Sequence, residues 1–93
     1  MIESIFSYEL NYNMNIIDIR SIEKYNNAHI LNSINIPSEK LLLNPSKYLN
    51  KNTKYYIYCQ KGLSSPNICR ILKNMGFNVV NVKDGYEGWM LGR

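Results

Sequence analysis

Two cysteines stand in the stretch YIYCQKGLSSPNICRIL, residues 56–72, and they are the only thiols of the chain. Cys59 ends an apolar, aromatic run that reads as a strand, and a short polar loop follows it. Gly62 lies within that loop, and the step Ser64-Ser65-Pro66 opens a helix. A cysteine attacks as thiolate, so a chemical role for Cys59 requires something that stabilises negative charge there. A free thiol titrates near pKa ~8.5, and helix N-termini or neighbouring cations bring it down to ~3.5–7.5. The backbone N–H groups of Gln60 through Ser65 can wrap the sulfur, with the dipole of the following helix directed at it. Gly62 supplies the positive φ that so tight a wrap requires. Lys61 adds a cation, Leu63 completes the loop, and Ser64 and Ser65 contribute hydroxyl donors. A pKa two below that of a free thiol corresponds to about 2.7 kcal/mol in favour of the anion. The competing reading of Cys59 is a small buried hydrophobe at the end of a strand.

The other candidate residues divide in the same way. Cys69 follows Ile68 in an apolar helix and reads as core, with a resolving thiol as the alternative. Asp18 and Arg20, at another strand end, read as an ion pair that fixes the loops around the site, with an acid and an anion clamp as the alternative. One histidine, His29, and two separated cysteines are too few for a zinc site. Lys61 reads equally as a donor-binding cation and as a solvated side chain. Gly85 and Trp89 read as structural, the indole anchoring the last helix. Tyr55, Tyr56 and Tyr58 read as strand packing, because no basic stripe accompanies them.

The elements that must position these groups alternate. Asn15 to Ile19 is a short apolar run, followed by a polar helical segment with Ser21 as N-cap. Ile34 to Ile36 is closed by Pro37, and Ser38 is a second candidate cap. Lys54 to Cys59 is continuous enough in Tyr and Ile to be buried on both faces. Pro66 to Met75 is predicted as a helix capped by Ser65, with Pro66 at its first position. Its apolar stripe is Ile68, Ile71, Leu72 and Met75, and Gly76 stops it. Phe77 to Val82 reads as a strand, and residues 84–90 as a last turn or short helix. Strands alternating with helices predict an α/β domain with a mainly parallel sheet. In such sheets ligands bind beyond the carboxyl ends of the strands, where Cys59 stands.

Composition sets the outer bounds. The 93 residues, 45% hydrophobic and 19% charged, predict one globular domain over 1–93. The net charge of +4 is spread along the chain, which favours anionic small molecules or an acidic partner over nucleic acid. The N-terminal MIESIFSYEL has neither a basic leader nor a long apolar core, and the apolar runs are far too short for a membrane span. A cytoplasmic protein with free thiols is therefore expected.

The order IDIR (17–20), EKYNNAHI (23–30), INIP (34–37), YYIYCQKGLSS (55–65) and DGYEGW (84–89) resembles a single-domain rhodanese, a thiosulfate-type sulfurtransferase. The resemblance implies a rhodanese-like fold with a central, mainly parallel five-stranded sheet flanked by helices. It also implies that Cys59 takes a sulfane sulfur from a small anionic donor such as thiosulfate, becomes a persulfide, and passes the sulfur to a thiol, to cyanide or to a protein acceptor. The loop amides would stabilise the persulfide anion as an oxyanion hole does. No metal or organic cofactor, no nucleic acid and no membrane is implied. Two segments depart from the pattern: Leu63, Ser64 and Ser65 stand where many members carry an arginine, and Ser33 stands where glycine is usual, at a turn position of little bearing on chemistry.

Other functions fit less well. A cysteine phosphatase needs an arginine at the end of the loop to hold phosphate bidentately, and Ser65 or Pro66 stands there. Thioredoxin-type exchange needs Cys-x-x-Cys, which is absent. The alternative is a non-enzymatic sulfur carrier or regulatory interaction module built on the same fold.

Overall fold

The computed structural model describes residues 1–92. Five strands, β1 (Glu3–Ile5), β2 (Asn15–Asp18), β3 (Ile34–Asn35), β4 (Lys54–Tyr58) and β5 (Asn78–Val82), form one sheet in the order β1-β5-β4-β2-β3. Every strand pair is parallel. The helices are α1 (Ile22–Asn27), α2 (Ser38–Leu43), α3 (Pro45–Tyr48), α4 (Ser65–Asn74) and α5 (Gly85–Leu91), with a 3-10 turn at Ser7–Glu9. A parallel pair cannot close through a tight hairpin, so each connection crosses over the sheet and puts helices on its faces. Among the described residues no helix is long and apolar enough to cross a membrane.

Side-chain alternation divides the core in two. Ile17, Ile57 and Val79 face one cluster with Leu41, Ile68, Cys69 and Leu72. Ile16, Tyr58 and Val82 face the other, with Ile30 and the partly buried Tyr86 and Trp89. Adjacent residues on β2 and β4 thus enter opposite clusters, as the two-residue period of a strand requires. Burial on both faces is confined to the carboxyl half of β4: Ile57 and Tyr58 are buried, whereas Lys54 to Tyr56 are half-buried.

Several local expectations hold. Ser21 Oγ accepts from the Lys24 N–H and caps α1. Gly76, at φ 96°, ends α4 with its N–H on the Lys73 carbonyl, while the Phe77 N–H reaches Leu72. Trp89 packs against the second cluster.

Others are corrected. Ser65 is not the cap of α4: the cap position is Ser64, which makes no side-chain capping bond, and Pro66 is the second helical residue. The Ser65 hydroxyl is buried and bonded to groups outside the helix. Ser38 is likewise the first residue of α2 rather than its cap, and its hydroxyl donates to Glu39. The buried stripe of α4 is Ser65, Ile68, Cys69 and Leu72, whereas Ile71 and Met75 are 37% and 45% exposed. Both sets have helical spacing, and α4 lies against the sheet on the face that carries Ser65 and Cys69. Strand β1 was not legible, since three residues at a sheet edge carry no period of their own.

Candidate active site

Strand β4 ends at Tyr58, so Cys59 is the first residue past the carboxyl edge of the sheet, between β2 and β5. Its sulfur, buried at the mouth of the loop, accepts from two backbone donors, the Gly62 N–H at 3.2 Å and the Ser65 N–H at 3.3 Å. The thiol donates to Ser65 Oγ at 3.3 Å. Of the amides expected to wrap the sulfur, those of Gly62 and Ser65 reach it directly. Burial pushes the Cys59 thiol up, yet hydrogen bonds from the side chains and backbone N–H groups of Ser65 and Ser64 outweigh it, and the thiol is pulled down to about 7.

The loop keeps this shape because neighbours leave it no room. Gly62 has φ +85°, and a Cβ there would stand 2.0 Å from the Lys83 carbonyl oxygen. A Cβ on Gly85 would stand 2.8 Å from both the Cys59 oxygen and the Gly62 nitrogen. Without those two side chains the loop settles onto the β5–α5 turn. There the Tyr86 and Glu87 N–H groups donate to the Cys59 and Gln60 carbonyls at 2.9 and 3.0 Å. The first turn of α5 thus satisfies the outward-facing carbonyls of the loop, and the inward-facing amides remain for the sulfur.

Asp18 and Arg20 form a buried ion pair beneath the loop, at 2.7 Å. Arg20 Nε spans both carboxylate oxygens, Nη2 also donates to the Ala28 carbonyl, and Nη1 donates to Gln60 Oε1 at 3.0 Å. The guanidinium lies over the Tyr86 ring, 4.1 Å from its centroid. Burial opposes the Arg20 charge and Asp18 more than restores it, so its pKa is raised. Four of the five N–H donors of Arg20 thus go to Asp18, Ala28 and Gln60, and its main contact with the loop is the hold on Gln60. Gln60 Nε2 in turn donates to Glu87, and the loop is tied to α5 a second time.

Tyr58 completes this layer from β4. Its phenol donates to Asp18 Oδ2 at 2.6 Å and accepts from the Ile30 N–H, and it shares a 3.0 Å hydrogen bond with Ser33 Oγ. Burial, together with Asp18, holds this phenol well above its ordinary range. Ser33 is therefore more than a turn residue: its hydroxyl belongs to the network that orients Asp18. His29 stacks on Tyr25 and meets the Tyr25 carbonyl at 2.7 Å, away from this layer. No cluster of three or more His, Cys, Asp or Glu suited to a metal occurs among the described residues.

The thiol opens onto a cleft of about 250 Å³ lined by Lys24, Gln60, Lys61, Leu63 and Ser64. Leu63 is 81% exposed at its rim. Lys24, from α1, was missed in the sequence because only the fold brings it to the loop. Asn81 was missed too: it is buried on β5 and its Oδ1 accepts from Ser65 Oγ at 2.6 Å. A polar residue inside the apolar run FNVVNV was the available signal. Cys69, on α4, is fully buried beneath the site, and burial, with Cys59 nearby, pushes its thiol up to about 12. The arrangement sets a buried, amide-supported thiol at the floor of a cleft whose mouth carries Lys24 and Lys61, and its thiolate is suited to nucleophilic attack on an electrophilic sulfur.

Known proteins resemble the chain over most of its length. The chain is 38% identical over 77 residues to YrkF of Bacillus subtilis, named as a candidate sulfur carrier protein, covering 82% of this chain and 41% of that one. It is 31% identical over 75 residues to the thiosulfate sulfurtransferase GlpE of Coxiella burnetii, covering 80% of this chain and 69% of GlpE. The chain thus spans less than half of YrkF, and 19% of the adenylyltransferase and sulfurtransferase uba4 of Ogataea parapolymorpha, which it matches at 35% identity over 80% of its own length. Among solved structures, SSP1007 of Staphylococcus saprophyticus superposes with a TM-score of 0.86 at 31% identity, covering 95% of this chain and 93% of that one. A rhodanese-related protein of Thermoplasma volcanium gives 0.86 at 30% identity, covering 97% and 92%. The profile of the rhodanese-like domain matches residues 8–91, and the chain belongs to the rhodanese-like domain family.

Proposed function

We propose that this protein is a sulfurtransferase that moves a sulfane sulfur through a persulfide on Cys59. The observation that carries the reading is the Cys59 sulfur at the carboxyl edge of the sheet, accepting from the Gly62 and Ser65 amides and pulled down to about 7. With thiosulfate as donor, the Cys59 thiolate attacks the outer sulfur, the S–S bond of thiosulfate breaks, and sulfite leaves with the bonding pair. The product is the persulfide anion of Cys59. An acceptor thiolate or cyanide then attacks the terminal sulfur, and Cys59 departs as thiolate with the electrons of the S–S bond. Each step moves negative charge between sulfur atoms at the loop, where fixed amide dipoles stabilise it without reorganising. Lys24 and Lys61 at the mouth offer positive charge to the anionic donor in place of the loop arginine found in many members of the family.

The second reading is a carrier that receives sulfur from a protein persulfide and hands it on. The name of YrkF favours it, and so does the exposed Leu63 at the rim of the cleft, where a protein surface gains more than a small anion does. Intact-mass analysis after incubation with thiosulfate tests the first reading. A gain of one sulfur atom, absent in Cys59→Ala, is expected. No gain from thiosulfate together with a gain from a persulfidated protein would replace the first reading by the second.

A further inference from the structure

Ser65 carries a single hydroxyl proton, and two buried groups lie within its reach. Asn81 Oδ1 is 2.6 Å from Ser65 Oγ, and Cys59 Sγ is 3.3 Å from the same oxygen. Asn81 lies on β5, paired in register with Ile57 of β4, and only 2% of it is exposed. Its Nδ2 faces Ser4 Oγ of β1 at 3.5 Å. These contacts form a chain from the sulfur, through Ser65 and Asn81, to the edge strand. With Cys59 protonated every proton has a place: the thiol donates to Ser65, Ser65 donates to Asn81, and Asn81 donates toward Ser4. Once the thiol proton leaves, Ser65 can serve the anion only by turning its hydroxyl away from Asn81. With the Asn81 amide oriented as it is, its oxygen toward Ser65, that strands a buried acceptor, which is unfavourable.

We infer that Asn81 competes with Cys59 for the Ser65 proton, and is thereby a positioning residue that limits how far Ser65 supports the sulfur anion. The inference rests on Cys59 as the reactive thiol and assigns regulation of that same site to β5. Support for the anion then has a fixed part, the Gly62 and Ser65 amides, and a contested part, the Ser65 hydroxyl. The consequence is kinetic. A thiol with a higher pKa is the stronger nucleophile as its thiolate and the poorer leaving group. At a pH above the Cys59 midpoint, where the thiol is ionised with or without Asn81, Asn81 therefore favours capture of sulfur by Cys59 at the expense of its release. The other titratable or charged groups around the sulfur are Lys24 and Lys61 at the mouth, Cys69 on α4, and Arg20 and Glu87, which act through Gln60. Their influence does not pass through Asn81, so a double-mutant cycle on Ser65 and Asn81 isolates the contested proton.

The test is the pH midpoint of Cys59 alkylation by iodoacetamide, read by intact mass, in the wild type, Asn81→Leu, Ser65→Ala and the double variant. Asn81→Leu is expected to lower the midpoint by about half a pH unit or more, roughly a threefold change in the acid constant. The double variant should match Ser65→Ala. An unchanged or raised midpoint in Asn81→Leu, or the same fall when Ser65 is already absent, overturns the inference. Should Asn81→Leu lose its native circular dichroism, the unsubstituted protein gives a second reading. The side-chain amide resonances of Asn81 should then move with the Cys59 midpoint, and a flat titration overturns the inference. Alkylation needs no sulfur donor, so this outcome is independent of whether thiosulfate loads Cys59.

Discussion

Cys59 and Cys69 are both free and both buried, yet the first is pulled down to about 7 and the second pushed up to about 12. Cys69 sits on the sheet-facing stripe of α4 among Ile68, Leu72 and the strand side chains, where burial and Cys59 outweigh the one favourable influence on its anion, the charge of Arg70. Cys59 loses water as well, but gains two backbone N–H groups and the Ser64 and Ser65 contacts. Burial alone therefore makes a thiol inert, and burial within a preformed set of donors makes it reactive. The donors cost little to hold in place, because the loop that carries them is wedged against Lys83 and Gly85 in the folded protein.

The comparison can be broken most sharply at Gly62. Gly62→Ala forces a side chain onto the Lys83 carbonyl oxygen at a residue with φ +85°. The left-handed backbone alone is worth on the order of 1–3 kcal/mol, and the clash adds to it. Urea unfolding should report that loss, and Cys59 alkylation at neutral pH should slow by about tenfold or more as the amides leave the sulfur. Alkylation at the wild-type rate would mean that the loop amides do not activate the thiol.

The pH dependence of stability sharpens the same contrast, because the two thiols act with opposite sign. The Cys59 pKa is depressed in the folded state, so its contribution is complete above the unfolded value near ~8.5 and is lost as pH falls through about 7. The Cys69 pKa is raised, so the folded state keeps a proton that the unfolded chain releases, and stability declines once pH exceeds ~8.5. Compared with Cys59→Ala, the wild type should therefore gain on the order of 1–2 kcal/mol between pH 6 and pH 9. Compared with Cys69→Ala it should lose stability above pH 9. Denaturant midpoints across that range decide both, and parallel curves would show that the two environments do not differ in the way described.

Cys69→Ala itself removes a buried sulfur and should cost about 1 kcal/mol while leaving sulfur loading of Cys59 intact. Slower discharge of loaded Cys59 in a folded Cys69→Ala protein would restore the resolving-thiol alternative. The smallest effect is expected at the mouth. Lys24→Ala and Lys61→Ala should each raise the apparent KM for thiosulfate about two- to fivefold without changing the alkylation midpoint much, and added salt should shrink the difference.

Much of this site could be read from the chain. Gly62 requires a left-handed turn, Cys59 follows a run of strand formers, and the helix that begins beyond Ser64 ends at Gly76, each for local steric reasons. The unread parts depend on residues far apart in sequence. Ser65 looked like a cap because serine before proline at a helix start is locally favourable. Its hydroxyl instead answers to Asn81 on another strand. Ile71 and Met75 matched a helical period as well as Ser65 and Cys69 do, and only the sheet chose between the two faces. Tyr58 gave no sign of reaching Asp18, nor Ser33 of reaching Tyr58, since those contacts exist only once β2, β4 and the β3 approach lie side by side.

The sequence by itself determined the alternation of strands and helices, the end of β4 at the thiol, and the loop glycine that lets amides turn inward. These follow from φ/ψ preferences and apolar period, which act over a few residues. Only the tertiary structure decided which thiol keeps its donors, that Lys24 joins the mouth, that Arg20 spends its charge on Asp18 and Gln60, and that Asn81 holds the proton of Ser65. Those outcomes depend on which groups share a dry space of a few ångströms, and that is fixed by packing the sheet and its helices together.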